Sequence, residues 1–171
     1  LLVLWLRALG LVPWVNTSHL RDLGKLQFAF GSFWAYRWFC QFLLVWYSNI
    51  PEEVTWYLPR HAGAWGIVTI ISLSLNWGVP FVFLMAAPAK GHPKALAWVA
   101  GLVLTGRWMD LMLMVGPGDE GSGPVLGLWE AGILLGALCA MVFVIRRALD
   151  AAPLKPEGDP FLPASLHHHG A

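Results

Sequence analysis

The sequence predicts an all-α integral membrane helical bundle: four transmembrane helices, the end of a fifth, and an extended Pro-rich C-terminal tail. Three observations lead there. Of 171 residues, 57% are hydrophobic and only 12% charged, with a mean hydropathy of +0.60; a soluble domain carries about a quarter of its residues charged. Eleven Trp and nine Phe suit the boundary where bilayer meets water. Four stretches also reach the roughly 20 apolar residues that cross about 30 Å of hydrocarbon.

Residues 1–15 (LLVLWLRALGLVPWV) are apolar but too short to span, and no small-residue cleavage site follows Arg7 as a signal peptide would need. They read as the end of a preceding membrane helix, which makes the chain the C-terminal part of something longer. Residues 16–24 read as a cytoplasmic linker, and 25–149 as the four-helix transmembrane region. The first span runs from about Lys25 to Tyr47 and stops at Asn49-Ile50-Pro51. The second runs from about Ala64 to Met85, with Pro80 as a kink. The third covers Lys94 to Val115 and is closed by the turn-forming GPGDEGSGP. The fourth covers Val125 to Ile145 and ends at Arg146-Arg147. Residues 150–171 hold too many prolines for a helix, so the tail is expected to lie extended against a partner or to be disordered.

Orientation follows from the basic residues of short loops. Arg21 and Lys25 precede the first span, Lys90 and Lys94 flank the second connection, and Arg146, Arg147 and Lys155 follow the last. The intervening loops carry Glu52 and Glu53 against one Arg60, and Asp119 and Glu120 with no base. The C-terminus is therefore expected in the cytoplasm, with the NIPEE and GPGDEGSGP loops outside.

Redox chemistry on this chain is not expected. All six His (His19, His61, His92 and His167 to His169) fall outside the spans, where they cannot ligate an embedded haem. Cys40 and Cys139 sit singly in different helices and read as packing residues. No nucleophile elbow, phosphate loop or metal-ligand motif occurs, and no basic stripe suits nucleic acid.

Ionisable groups inside spans are costly and mark pathways or buried pairs. Arg37 lies near the middle of the first span with Gln41 one turn outward. Asn76 lies mid-way along the second. Arg107 lies near the middle of the third, with Asp110 one turn outward on the same face. Glu130 occupies the outer turns of the fourth. Together they form a polar layer leading toward Glu52 and Glu53, which reads as a proton half-channel or as the polar wall of a quinone pocket. Plainer readings stand beside it. Arg107–Asp110 is an easily satisfied i,i+3 pair, and Arg37 is neutralised by a carboxylate from a missing helix. Gln41 and Asn76 are interhelical hydrogen bonds. Glu130 sits in headgroup water, and Glu52 and Glu53 are solvated or meet a partner. Gly31 and Ala35 on the first span, and Gly132, Gly136 and Ala140 on the fourth, offer small faces for close helix packing. The Trp and Tyr residues read as core and interfacial belt.

Residues 22–53, DLGKLQFAFGSFWAYRWFCQFLLVWYSNIPEE, together with PLKPEGDPFLPASL in the tail, carry a resemblance. They are similar to the F subunit of bacterial alternative complex III, a quinol:cytochrome c or blue-copper protein oxidoreductase. The resemblance covers nearly the whole chain and corresponds to the C-terminal four helices of a ten-helix, polysulfide-reductase-like subunit of the inner membrane. It implies a paralogous membrane subunit, with haem c and iron–sulfur clusters on separate periplasmic-facing partner subunits. It further implies a quinone (menaquinone or ubiquinone) nearby and a part in conducting protons. Gln41, Glu52, Glu53 and Asp110 match family positions. Arg37 replaces an apolar residue, and Asn76-Trp77 and Gly106-Arg107 stand where the family tends to carry His, so the proton relay would be rewired. The expectation is an accessory, non-redox membrane subunit. Alternatives are a quinol pocket on this chain, using Asp110 or Glu130 as proton acceptor, and a stand-alone transporter.

Overall fold

The computed structural model describes residues 1–85, 90–116, 124, 127–151, 153–155 and 160–166. Regular structure among them is entirely helical. The chain divides into two compact units, one spanning Asn16–Pro124 and the other combining Leu2–Val15 with Val125–His169. Three helical stretches, Gly63–Met85, Pro93–Val115 and Leu128–Ala151, are long and apolar enough to cross a membrane, which points to a membrane protein.

In the second unit, α1 (Leu2–Ala8) is a short helix that buries Leu6. It ends ahead of Gly10, whose φ of +73° is a left-handed conformation that glycine adopts without a steric penalty.

The first unit opens with α2 (Thr17–Ser48), a continuous helix of 32 residues. It begins eight residues before the expected span, because residues 16–24 are not a linker. The Asn16 side chain accepts from the His19 backbone N–H at 3.0 Å, and the His19 ring accepts from the Asn16 backbone N–H at 3.3 Å. That reciprocal cap satisfies two otherwise orphaned donors and starts the helix early. The added turns are packed: a Cβ on Gly24 would stand 3.0 Å from the Lys90 Cβ and 3.2 Å from a Leu96 methyl. Asn49 closes α2 at φ 47°, donating to the Val45 carbonyl. The helix thus carries the whole first expected span. Its Arg, Lys, Gln, Trp and Tyr residues leave it less apolar than the three membrane-length stretches.

The NIPEE segment is a helix where a loop was expected. Pro51 stands at the first position of α3 (Pro51–His61), Glu52 and Glu53 occupy its first turn, and Arg60 and His61 its last. Proline lacks an N–H the helix start does not use, and acids before bases suit the helix dipole. Gly63, at φ +53°, turns the chain into α4 (Gly63–Leu73).

Pro80 does disturb its span, through a π turn rather than a bare kink. Residues Ser74–Gly78 wind as π-helix between α4 and α5 (Val79–Met85). Pro80 has no N–H for the Asn76 carbonyl four residues back, and its ring crowds that carbonyl. A wider turn relieves both. Then α6 (Pro93–Val115) packs on α4 and the π turn, while Phe81 of α5 stacks on Phe28 of α2 at 5.0 Å.

In the second unit, α7 (Leu128–Ala151) runs past Arg146-Arg147, where the fourth span was expected to end, and has no buried residue. A Cβ at Gly132 or Gly136 would meet nothing within 4 Å, and Ala140 is exposed. The small face expected to pack is therefore open. The tail is not extended throughout: Leu162–Leu166 forms a short helix, α8. Pro163 sits in its first turn, where no N–H is required. Asp119, Glu120 and the His167–His169 run lie outside the described residues.

Candidate functional site

Three of the expected membrane-depth charges gather near one another, two of them at one tryptophan. Trp34 of α2 is buried, and the Arg107 guanidinium of α6 lies over its ring at 4.8 Å. The Asp110 carboxylate lies near the Trp34 indole N–H, so one side chain has a cation on its face and an anion near its edge. Arg107 and Asp110 pair at 3.8 Å, the outer limit of a direct ion pair, with side chains 38% and 29% exposed. Arg37, one turn beyond Trp34, is close enough for its charge to bear on both. Two guanidiniums and one carboxylate leave one positive charge in excess. The local i,i+3 pair was legible in the sequence, and its tether to α2 was not.

At Gly106, beside Arg107, α6 crosses the π turn closely. Asn76, fully buried in the π turn, donates from Nδ2 to the Ser72 carbonyl at 2.9 Å and to the Ser72 hydroxyl at 3.2 Å, while its Oδ1 meets no donor among the described residues. A Cβ on Gly106 would stand 2.9 Å from Asn76 Cγ and Nδ2, so only glycine lets α6 close on the turn. On the other side, a Cβ on Gly31 would reach the Asn76 carbonyl at 3.9 Å. That distance is ordinary van der Waals contact, so nothing there requires a glycine; Ala35 is half-buried one turn on. Asn76 hydrogen-bonds within its own segment, rather than across helices as expected.

Toward the end of α2, Gln41 and Glu53 line one groove of about 390 Å3 with Trp56 and Tyr57. On the far side of Tyr57, a second groove of about 220 Å3 is lined by Phe42, Trp46, Asn49, Tyr57 and His61, among others. The rings form a connected set: Phe42 lies 6.1 Å from Tyr57 and 6.0 Å from His61, and His61 stacks on Tyr57 at 5.5 Å. Burial raises the pKa of the Tyr57 phenol, against the opposing pull of the Arg60 charge. Glu52 is exposed at the start of α3, outside both grooves.

Arg60 is the functional-looking residue that sequence reasoning passed over as a loop base. It is 7% exposed; Nε donates to the Leu113 carbonyl at 2.7 Å and Nη2 to the Met114 carbonyl at 3.0 Å, and the guanidinium lies 3.7 Å from the centre of the Trp56 ring. A cation here satisfies the last carbonyls of α6 and meets the negative end of its dipole. The Thr69 hydroxyl donates to the Arg60 carbonyl at 2.6 Å, fixing the same corner from α4. Burial lowers the Arg60 pKa, with Tyr57 acting the other way. One signal was available: a lone base in a loop placed outside is an exception to the positive-inside pattern.

Glu130 belongs to the second unit, where its Oε2 accepts from the Gly127 backbone N–H at 2.9 Å. That contact caps the start of α7. Among the described residues, no three His, Cys, Asp or Glu gather as metal ligands. No protein-family model matches the chain, and no curated protein does.

Proposed function

We propose that this chain is a multi-pass subunit of a bacterial inner-membrane quinol:electron-acceptor oxidoreductase of the alternative complex III kind. In this reading α2 crosses the bilayer with the three more apolar stretches, and the C-terminus is cytoplasmic. The chain binds no redox centre; haem c and iron–sulfur clusters belong to partner subunits, beside a paralogous membrane subunit. It supports assembly and lines a proton half-channel that opens outward. The carrying observation is the gathering of Arg37, Arg107 and Asp110, with Trp34 under the Arg107 guanidinium and Gln41 one turn further along α2 in a groove that Glu53 also lines. Ionisable side chains at such depth are expensive in lipid and are retained where water, protons or partner charges reach them.

The test is Asp110→Asn in the intact complex. Quinol oxidation should persist while protons moved per electron fall. A second reading, a quinol pocket on this chain, draws on the aromatic groove that holds His61 and Tyr57. At about 220 Å3 it is smaller than the roughly 300 Å3 at which ligand pockets begin, so it suits a headgroup rather than a whole quinol. Joint loss of quinol oxidation and inhibitor binding in His61→Ala or Tyr57→Phe, both of which line that groove, would favour that reading. Activity of the isolated chain would favour a transporter, and absence of co-purifying haem c and iron–sulfur proteins would sink both oxidoreductase readings.

A further inference from the structure

One face of α2 repeats every three and four residues: Phe30, Phe33, Arg37, Cys40, Leu44 and Tyr47. This alternating spacing is the seam by which one helix packs lengthwise on another. Among the described residues of its own unit the seam is uncovered, with Phe30 68%, Phe33 59%, Leu44 70% and Tyr47 86% exposed, and Arg37 exposed at its centre. Resting on the reading that α2 spans the bilayer, Arg37 lies ten residues from Tyr47 and twelve from Lys25. At ~1.5 Å per residue those are about 15 and 18 Å, further than a side chain can snorkel to a headgroup. Arg37 makes no direct ion pair among the described residues, and since Arg107 and Asp110 behind it pair with one another, the one positive charge in excess is that of Arg37 itself.

We infer that this seam is the docking surface for one transmembrane helix of a partner protein, carrying an Asp or Glu opposite Arg37. The apolar positions supply the contact, and the single charge at the centre sets its register, as one polar residue does in a coiled-coil seam. Charge complementarity selects the occupant. A lipid phosphate cannot reach this depth, and a second copy docking through the same seam would bring Arg37 against Arg37. Pairing Arg37 in this way would bring the cluster of Arg37, Arg107 and Asp110 to neutrality.

The test places a photoreactive amino acid at Phe33 in the intact complex in native membranes and sequences the cross-linked peptide. The expected product is one apolar, membrane-length segment with Asp or Glu within a turn of the cross-link. Arg37→Glu and Arg37→Gln should each reduce its yield about tenfold or more, since either leaves the partner's carboxylate unpaired. Arg37→Glu combined with Lys at that carboxylate should restore it. Unchanged helical content by circular dichroism separates lost docking from misfolding. Cross-links only to lipid, to this same chain or to a helix without a carboxylate would overturn the inference, as would an unchanged yield in Arg37→Glu. If the wild-type complex contains haem c and iron–sulfur proteins but shows no such product, docking alone falls. If the product forms in a complex without them, the oxidoreductase reading falls and docking stands.

Discussion

The guanidinium of Arg60 caps α6 by donating to the carbonyl of Leu113, 53 positions further along the chain, at 2.7 Å. A second bond reaches Met114, and Trp56 covers the outer face of the cation. One side chain therefore fastens α3 to the far end of α6. Arg60→Ala should destabilise the protein by ~1.5–3 kcal/mol, the range for a hydrogen-bonded charged group. Arg60→Lys should recover only part of that, because an ammonium lacks the planar fork. Reversible unfolding in mixed micelles reads both values, and an unchanged midpoint for Arg60→Ala would show that the corner holds without it.

Gly106→Ala probes the close crossing of α6 and the π turn. The new methyl would enter the space of Asn76 and Leu75, both on the π turn. Overpacking of this kind costs ~1–3 kcal/mol. Gly101→Ala, on the same helix with nothing within 4 Å of its Cβ, should be neutral or slightly stabilising. Comparing the two unfolding midpoints checks the contact itself.

Trp34→Phe keeps an apolar ring but removes the N–H near Asp110 and weakens the face on which Arg107 rests. A loss of ~0.5–2 kcal/mol is expected, the scale of a cation–π contact. In the assembled complex the same variant should alter proton stoichiometry in the direction of Asp110→Asn, measured as protons per electron in reconstituted vesicles.

Tyr57 sets an alkaline limit. Burial raises its pKa in the folded chain, so above the ordinary tyrosine value of ~10 the unfolded chain loses this proton first. The folded state then binds more protons than the unfolded one, and stability falls as pH rises through the folded value. Below that window the group contributes no slope. Tyr57→Phe should flatten the decline in a series of unfolding midpoints taken from pH 8 to 11, values bracketing ~10.

How much of this was legible in advance follows from the range of the interactions involved. Membrane-length helices at Gly63–Met85 and Pro93–Val115 follow from apolar content summed over many residues, a signal that single positions hardly disturb. The i,i+3 relation of Arg107 and Asp110 follows from helix geometry alone. The early start of α2 was local but hidden, since Asn16 and His19 form a capping pair outside the usual Ser/Thr and Glu/Gln pattern. The Arg60 bonds, and the Trp34 contacts with Arg107 and Asp110, join residues dozens of positions apart, which no periodicity reveals. The helix at NIPEE was readable from Pro51, Glu52 and Glu53, but length and polarity made it look like a loop.

The π turn at Ser74–Gly78 amounts to one residue more than a regular winding of the same rise would use. Everything C-terminal to it, Phe81 included, is rotated by about 100° from where an uninterrupted helix would put it. The stacking of Phe81 on Phe28 thus depends on a surplus residue whose own side chain need not touch either ring. Shortening the gene by one codon at this turn would leave a smooth helix that presents Phe81 in the wrong direction.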